Sequence, residues 1–161
     1  MQYRVGIGYD IHRLVQGRPL FIGGAQIPYV KGLLGHSDGD VLLHAVCDAL
    51  LGAIGGGDIG QLFPDTDPKY QGIDSKELLK AVADLVREKK YTVNNVDTII
   101  VAEEPKMLPF EKEMRRKISA ILEIPEDRVN IKAKTSEGMG EIGKIEAIAS
   151  YAIVSIVPRE D

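Results

Sequence analysis

Apolar residues alternate with small or polar ones from Gln2 to His12, with Val5, Ile7 and Tyr9 on the apolar beat, a period of two that predicts a half-buried strand. Leu20 to Tyr29 predicts a second extended stretch, with Gly23 and Gly24 permitting a turn and Pro28 marking its end, so the two stretches are expected to form an N-terminal hairpin. The run Gly35-His-Ser-Asp-Gly-Asp then opens a helix that reaches about Ile54. Ser37 is its expected N-cap, and Asp40, three places on, completes a near capping box. Gly55, Gly56 and Gly57 end that helix. The loop from Asp58 to Pro68 follows, dense in turn formers and carboxylates, the kind of elaborated loop that carries function.

Ser75 to Lys90 places Leu78, Leu79, Val82, Leu85 and Val86 at helical spacing with charges opposite, an amphipathic helix. Val96 to Ala102 reads as a strand, Pro109 to Leu122 as a helix, Val129 to Thr135 as a strand and Glu146 to Val157 as a closing strand. Strands separated by helices predict an α/β (α+β) sandwich in one domain spanning residues 1–161, a mixed sheet with helices on one face. The other face must find cover elsewhere, and self-association is the natural source.

Composition narrows the class. The 161 residues are 44% hydrophobic and 27% charged, globular averages that exclude a disordered or membrane-embedded chain. Net charge is −4, from 20 basic and 24 acidic residues with no basic run, which argues against a broad grip on nucleic acid. The single cysteine, Cys47, excludes an intramolecular disulfide or a cysteine-cluster metal site and suits a reducing compartment. No charged n-region, h-region or membrane-length apolar run is present, so the expected location is cytoplasmic, with no membrane partner.

Only three histidines exist, His12, His36 and His44. Asp10 and His12 are separated by one residue, so on a strand both project from one face, half of a metal site. His44 lies in a helix apolar almost all round, where an unpartnered polar side chain costs about 2 kcal/mol or more. Asp40 and Asp48 stand one turn to either side of it, and either carboxylate can fix the imidazole tautomer. Asp10, His12 and His44 together meet the three-ligand inventory of a catalytic zinc. The alternative from spacing alone is a core histidine bonded to Asp48 beside a surface Asp-x-His pair.

Two familiar patterns carry no function. Gly35-His-Ser-Asp-Gly39 matches a nucleophile elbow, but no histidine follows His44 to complete the triad, so Ser37 reads as a cap. Gly138-Met-Gly-Glu-Ile-Gly143 matches a dinucleotide fingerprint, but too little chain follows for that unit, and it reads as a flexible loop whose amides approach a ligand. Asp65-Thr-Asp67 suits a hard cation or an Asx turn, and Lys106 a phosphate or solvent. Lys132 and Lys134 share a strand face, and with Thr135, Ser136 and Glu137 they suit either a Mg²⁺-bound diphosphate or a polar hairpin turn.

The blocks Gly8-Tyr-Asp-Ile-His12, Gly35 to Leu51, Gly57 to Asp67, Pro105-Lys-Met-Leu-Pro109 and Lys132 to Glu137 together resemble one family, in order, from about Tyr3 to Val157. That family is the 2-C-methyl-D-erythritol 2,4-cyclodiphosphate synthases of the non-mevalonate isoprenoid pathway. The resemblance implies conversion of 4-diphosphocytidyl-2-C-methyl-D-erythritol 2-phosphate to the cyclodiphosphate and CMP by metal-assisted intramolecular phosphoryl transfer. It implies a homotrimer with sheets packed around the threefold axis and active sites between subunits. Asp10, His12 and His44 would bind one Zn²⁺ per subunit, and Glu137 would help hold Mg²⁺ or Mn²⁺ on the substrate diphosphate; the spacing, not the resemblance, sets Asp48 behind His44.

The same resemblance implies that His36 and Thr135 act on the transferring phosphate and that Ser37 contacts it. Ile11, Asp58, Ile59, Gly60, Phe63, Pro64, Asp65, Thr66 and Asp67 fall among substrate-contacting positions. So do Ala102, Glu103, Glu104, Pro105, Lys106, Met107 and Leu108, with Lys134, Thr135 and Ser136, as the cytidine and phosphate pocket lent by a neighbouring subunit. Lys134, Glu141, Lys144, Ile145 and Ala147 depart from the family's usual residues, the last four in the segment that lines its axial cavity; Glu141 and Lys144 are carried as binding positions. The rival readings are a metal-dependent nucleotide-diphosphate phosphodiesterase and a non-catalytic zinc-binding trimer.

Overall fold

The computed structural model describes residues 2–160. Its strands are β1 (Arg4–Gln16), β2 (Leu20–Ile22), β3 (Ala25–Ile27), β4 (Lys31–Leu33), β5 (Tyr91–Val101), β6 (Val129–Lys134) and β7 (Ala147–Pro158). Its helices are α1 (Val41–Ile54), α2 (Ile59–Leu62), α3 (Ser75–Glu88), α4 (Glu111–Leu122) and α5 (Gly140–Gly143). The main sheet runs β4-β1-β7-β5-β6, with β5 and β6 parallel and the other pairs antiparallel, so the architecture is mixed α/β. No helix among the described residues is long and apolar enough to cross a membrane.

The expected N-terminal hairpin is replaced by two separate pairings. β1 pairs with β4 and, over ten positions, with β7, while β2 and β3 pair only with each other. The cause is local: Gly23 (φ 62°) and Gly24 (φ 77°) are both left-handed, as a two-residue turn closing a hairpin on itself demands. Alternation in the other strands puts Val93, Val96, Ile100, Ile131, Ile148, Val154 and Ile156 into a core beneath α1, α3 and α4.

β1 reverses the usual expectation for a half-buried strand. Gly6 and Gly8 are its buried residues beside α1, whereas Val5, Ile7, Tyr9 and Ile11 are exposed. A Cβ on Gly8 would lie 1.8 Å from the Ala45 carbonyl oxygen, and one on Gly6 equally close to that of Ala49. The helix therefore rests on the strand backbone to backbone, its alanines against the glycines. On the opposite side, Tyr9 and Tyr151 face each other across β1 and β7 with ring centroids 4.9 Å apart, and Ile7 stands opposite Ile153.

The start of α1 also differs from the sequence reading. The N-cap is Asp40, which accepts from Leu43 N–H at 3.0 Å, and the helix begins at Val41. Asp40 is fully buried because it accepts two more amides, from Gly23 at 2.9 Å and Gly24 at 2.7 Å. Burial pushes its carboxyl up, the neighbouring Asp38 adds to this, and the three amides oppose both. Ser37 lies outside the helix and is free to face the site. The 138–143 segment is not an open glycine loop either: α5 occupies its second half, and Glu103 accepts from Ser136 N–H at 2.7 Å and Gly138 N–H at 3.2 Å.

Candidate active site

The strand period puts Asp10 and His12 on the helix side of β1, and the glycine-permitted approach of α1 brings His44 down onto them. Asp10 Oδ2 lies 2.8 Å from His12 Nε2 and 3.0 Å from His44 Nδ1, and the two nitrogens are 3.2 Å apart. The metal half-site and the lone histidine thus form one cluster. The alternative pairing of His44 with Asp48 does not occur.

Proton accounting says what the cluster can hold. His12 Nδ1 lies 2.7 Å from the Leu34 carbonyl oxygen, which only accepts, so Nδ1 carries the ring proton and Nε2 turns a lone pair to the cluster. Two imidazole nitrogens and a carboxylate oxygen then converge. One cation about 2 Å from each satisfies all three at once, which a shared proton cannot. The donor set of two nitrogens and one oxygen fits a divalent ion that accepts histidine and carboxylate. Burial opposes an ionised Asp10, but the contacts with His12 and His44, which stabilise the carboxylate whenever either ring is protonated toward it, outweigh burial and hold its carboxyl below the usual range. Burial likewise opposes charge on His12, and the Asp10 contact raises it.

Asp48 acts elsewhere. A helical side chain leans toward the N-terminal end, so His44 reaches back to the 37–38 loop and Ser75, while Asp48, one turn later, accepts from Ile59 N–H at 2.7 Å. Burial pushes its carboxyl up, and the Ile59 amide opposes. Asp48 thereby ties the start of α2 to α1. Asp58 caps α2 by accepting from Gln61 N–H at 2.9 Å.

Beside the cluster opens a cleft of about 360 Å³. Its walls include Asp10, His12, His36, Ser37, His44, Ile59, Gly60, Phe63 and Asp65 from the residues singled out in the sequence, together with Tyr70, Ile73 and Leu78, which were not. Phe63 and Tyr70 meet edge to face at 5.2 Å. His36 donates from Nε2 to the Asp67 carbonyl at 3.1 Å, which holds its ring at the cleft wall. Asp67 itself caps a single 3₁₀ turn, Pro68–Tyr70, so the Asx-turn reading of the Asp65–Asp67 stretch is the one realised. The arrangement suits an anionic group at the cluster and a small, partly apolar body against the α2 loop.

The remaining positions do not join this cleft within one chain. Ile11 is one residue out of phase with Asp10 and His12 on the strand and lines a separate groove with Arg13, Glu141 and Glu146, to which His12 also contributes. Thr135, Ser136 and Glu137 follow β6, with Glu137 in the left-handed region at φ 52°. Glu103 anchors that loop, Glu104 accepts from the Tyr29 hydroxyl at 3.1 Å, and Lys132 is spent on Asp97 at 2.6 Å. The Ala102–Leu108 stretch, Lys134 and Lys144 also lie off the cleft wall. Ser75 and Asp38 are functional neighbours the sequence reading missed: Ser75 Oγ lies 2.9 Å from His44 Nε2 and bonds Asp38. The Asp74–Ser75 helix start was the only available signal.

A sequence profile described as the YgbB family matches residues 3–157. A relative from Alkaliphilus metalliredigens, named 2-C-methyl-D-erythritol 2,4-cyclodiphosphate synthase, is 59% identical over 153 residues, 95% of this chain and 96% of its own. The bifunctional IspDF of Campylobacter jejuni superposes with a TM-score of 0.94 at 42% identity, covering 99% of this chain and 43% of that longer one. A solved 2C-methyl-D-erythritol-2,4-cyclodiphosphate synthase in its CDP-bound form matches at TM-score 0.88 and 39% identity, covering 96% of this chain and all of its own.

Proposed function

The chain belongs to the YgbB family, and from that premise and the cleft geometry we propose that it closes 4-diphosphocytidyl-2-C-methyl-D-erythritol 2-phosphate into 2-C-methyl-D-erythritol 2,4-cyclodiphosphate, releasing CMP. The enzyme is a phosphorus–oxygen lyase of non-mevalonate isoprenoid synthesis, working as one domain over residues 1–161. The observation that carries the reading is the meeting of Asp10 Oδ2, His12 Nε2 and His44 Nδ1 at the mouth of the cleft.

The reaction forms a bond from an oxygen of the 2-phosphate to the β-phosphorus and breaks the bond from that phosphorus to the bridging oxygen, which leaves with its electron pair on CMP. A phosphate oxygen is anionic near neutral pH, so no strong general base is needed, in accord with the absence of any histidine beyond His44. The chain's task is positioning two anionic arms against their repulsion. Zn²⁺ on Asp10, His12 and His44, and Mg²⁺ or Mn²⁺ on the diphosphate with Glu137, would neutralise phosphoryl oxygen charge. His36 and Ser37, held at the cleft wall, orient the phosphate, and Ile59, Gly60, Phe63 and Asp65, which line the cleft, enclose the methylerythritol body together with the loop residues Pro64, Thr66 and Asp67 between and beside them.

A homotrimer completes the site. Two observations support it: the exposed apolar face of β1 and β7, and the separation of Thr135, Glu137, Lys134 and the Ala102–Leu108 stretch from the cleft of their own chain. A neighbouring subunit would lend these residues to the cytidine and phosphate moieties. The single buried Cys47 supports work in a reducing cytoplasm. The test is CMP release from the cytidine substrate with saturating Mg²⁺, run in H₂¹⁸O: CMP with an unlabelled cyclic product supports cyclisation, and solvent oxygen in the product supports hydrolysis instead.

A further inference from the structure

The ring nitrogen of His44 that faces away from the cluster, Nε2, meets two hydroxyls, Ser75 Oγ at 2.9 Å and Ser37 Oγ at 3.1 Å. Their protons are not equally free. Ser75 Oγ lies against Asp38 Oδ1, and a carboxylate only accepts, so the Ser75 hydrogen points to Asp38 and an Oγ lone pair points to His44. A lone pair on Nε2 would then face a lone pair. Ser75 can therefore only accept from Nε2; Ser37 Oγ, which takes the Gly39 N–H at 3.2 Å, can accept from it too, and the serine pair favours the ring proton on Nε2 with the Nδ1 lone pair turned toward Asp10 and His12.

Asp38 is built to hold this serine. Its Oδ2 accepts Ser75 N–H at 3.0 Å, its Oδ1 also accepts Asp40 N–H at 3.0 Å, and its own N–H donates to the Ile73 carbonyl at 3.1 Å. The carboxylate thereby joins the loop before α1 to the first turn of α3. Ser75 is fully buried, so solvent does not compete for its hydroxyl. His12 achieves the same orientation through a backbone carbonyl, that of Leu34, which no side-chain change removes.

We propose that Ser75 and Asp38 are positioning residues for a metal ligand: the Asp38–Ser75–His44 chain of hydrogen bonds fixes the Nε2–H tautomer of His44 and presents Nδ1 to the ion before it arrives. The proposal rests on the metal reading of Asp10, His12 and His44. Removing such a support weakens metal binding by about 10- to 100-fold in comparable sites. The chain also explains why a serine, with one proton and two lone pairs, suits this place: it passes the carboxylate's preference to the imidazole.

The test is Ser75→Ala, with zinc affinity measured by chelator competition and the His44 tautomer read in the metal-free protein from long-range ¹⁵N–¹H correlations. Expected are about 10- to 100-fold weaker zinc binding, a His44 signal with less Nε2–H than in the wild-type chain, and an unchanged His12 signal. Ser75→Thr, which keeps the hydroxyl, should recover the wild-type pattern. If Ser75→Ala does not fold, Asp38→Asn is read in the same two ways, with a smaller shift expected in each. Wild-type affinity and tautomer in the folded variant overturn this proposal alone; a wild-type chain that takes up no zinc overturns the metal reading and this proposal with it.

Discussion

On its helix side β1 presents Gly6, Gly8, Asp10 and His12; on its other side, one residue out of phase, stand Val5, Ile7, Tyr9 and Ile11. On the first face Gly6 and Gly8 are buried and Asp10 and His12 half-buried though it has no apolar side chains, and the second is apolar though Ile7 remains 70% exposed. Burial on the helix side is bought by removing side chains, so that α1 can approach and deliver His44. The aliphatic and aromatic residues are left for contact outside the chain. On the proposed reading one strand separates two tasks, with ion binding on one face and assembly on the other. The three side chains proposed to hold the metal come from a single chain, whereas the completed substrate site is proposed to need two.

The largest effect is expected at the helix side. In Gly8→Val even the Cβ meets the Ala45 carbonyl at 1.8 Å, so α1 must lift away. The expected cost is about 3 kcal/mol or more, with loss of zinc binding, read by thermal unfolding and metal titration. A wild-type melting temperature with stoichiometric zinc would show that the close approach does not set the site. Next comes His44→Ala, which removes one donor of three and should lower kcat/KM by about 10³-fold, about 4 kcal/mol, while leaving the circular dichroism spectrum intact.

Ile7→Asp sharpens the contrast from the other side. An exposed substitution changes the stability of the chain by about 0.5 kcal/mol or less, so the variant should fold and bind zinc. It should sediment near 17.6 kDa and turn over poorly. Full activity from a single-chain species would break the division of tasks. The smallest effect is expected for Asp58→Ala, which loses the α2 cap at about 1 kcal/mol and should raise KM a few-fold with zinc content unchanged; kinetics alongside metal analysis would separate the two.

How far the sequence could be read follows from the range of each interaction. The shared face of Asp10 and His12 was legible because strand period is a local rule, and the oddity of His44 on an apolar helix was legible because polarity there demands a partner. The partner itself was not. Asp48 satisfied the one-turn spacing, yet side-chain lean sends His44 the other way, to Ser75, 31 residues along the chain. The cap of α1 was misassigned for a related reason: Asp40 is favoured over Ser37 by amides from the distant Gly23–Gly24 turn, which no local pattern announces. The faces of β1 were legible as two, but which one the helix covers depends on backbone distance, and that is a property of the packed pair.

The carboxylate of Asp40 ties three amides from two places in the chain, the β2–β3 turn and the first turn of α1. Lifting the small hairpin would strand that charge in the protein interior, so the hairpin and the histidine-bearing helix should open as one cooperative unit. In an amide hydrogen-exchange experiment Gly23 and Gly24, although they sit in a turn, should exchange as slowly as the α1 backbone.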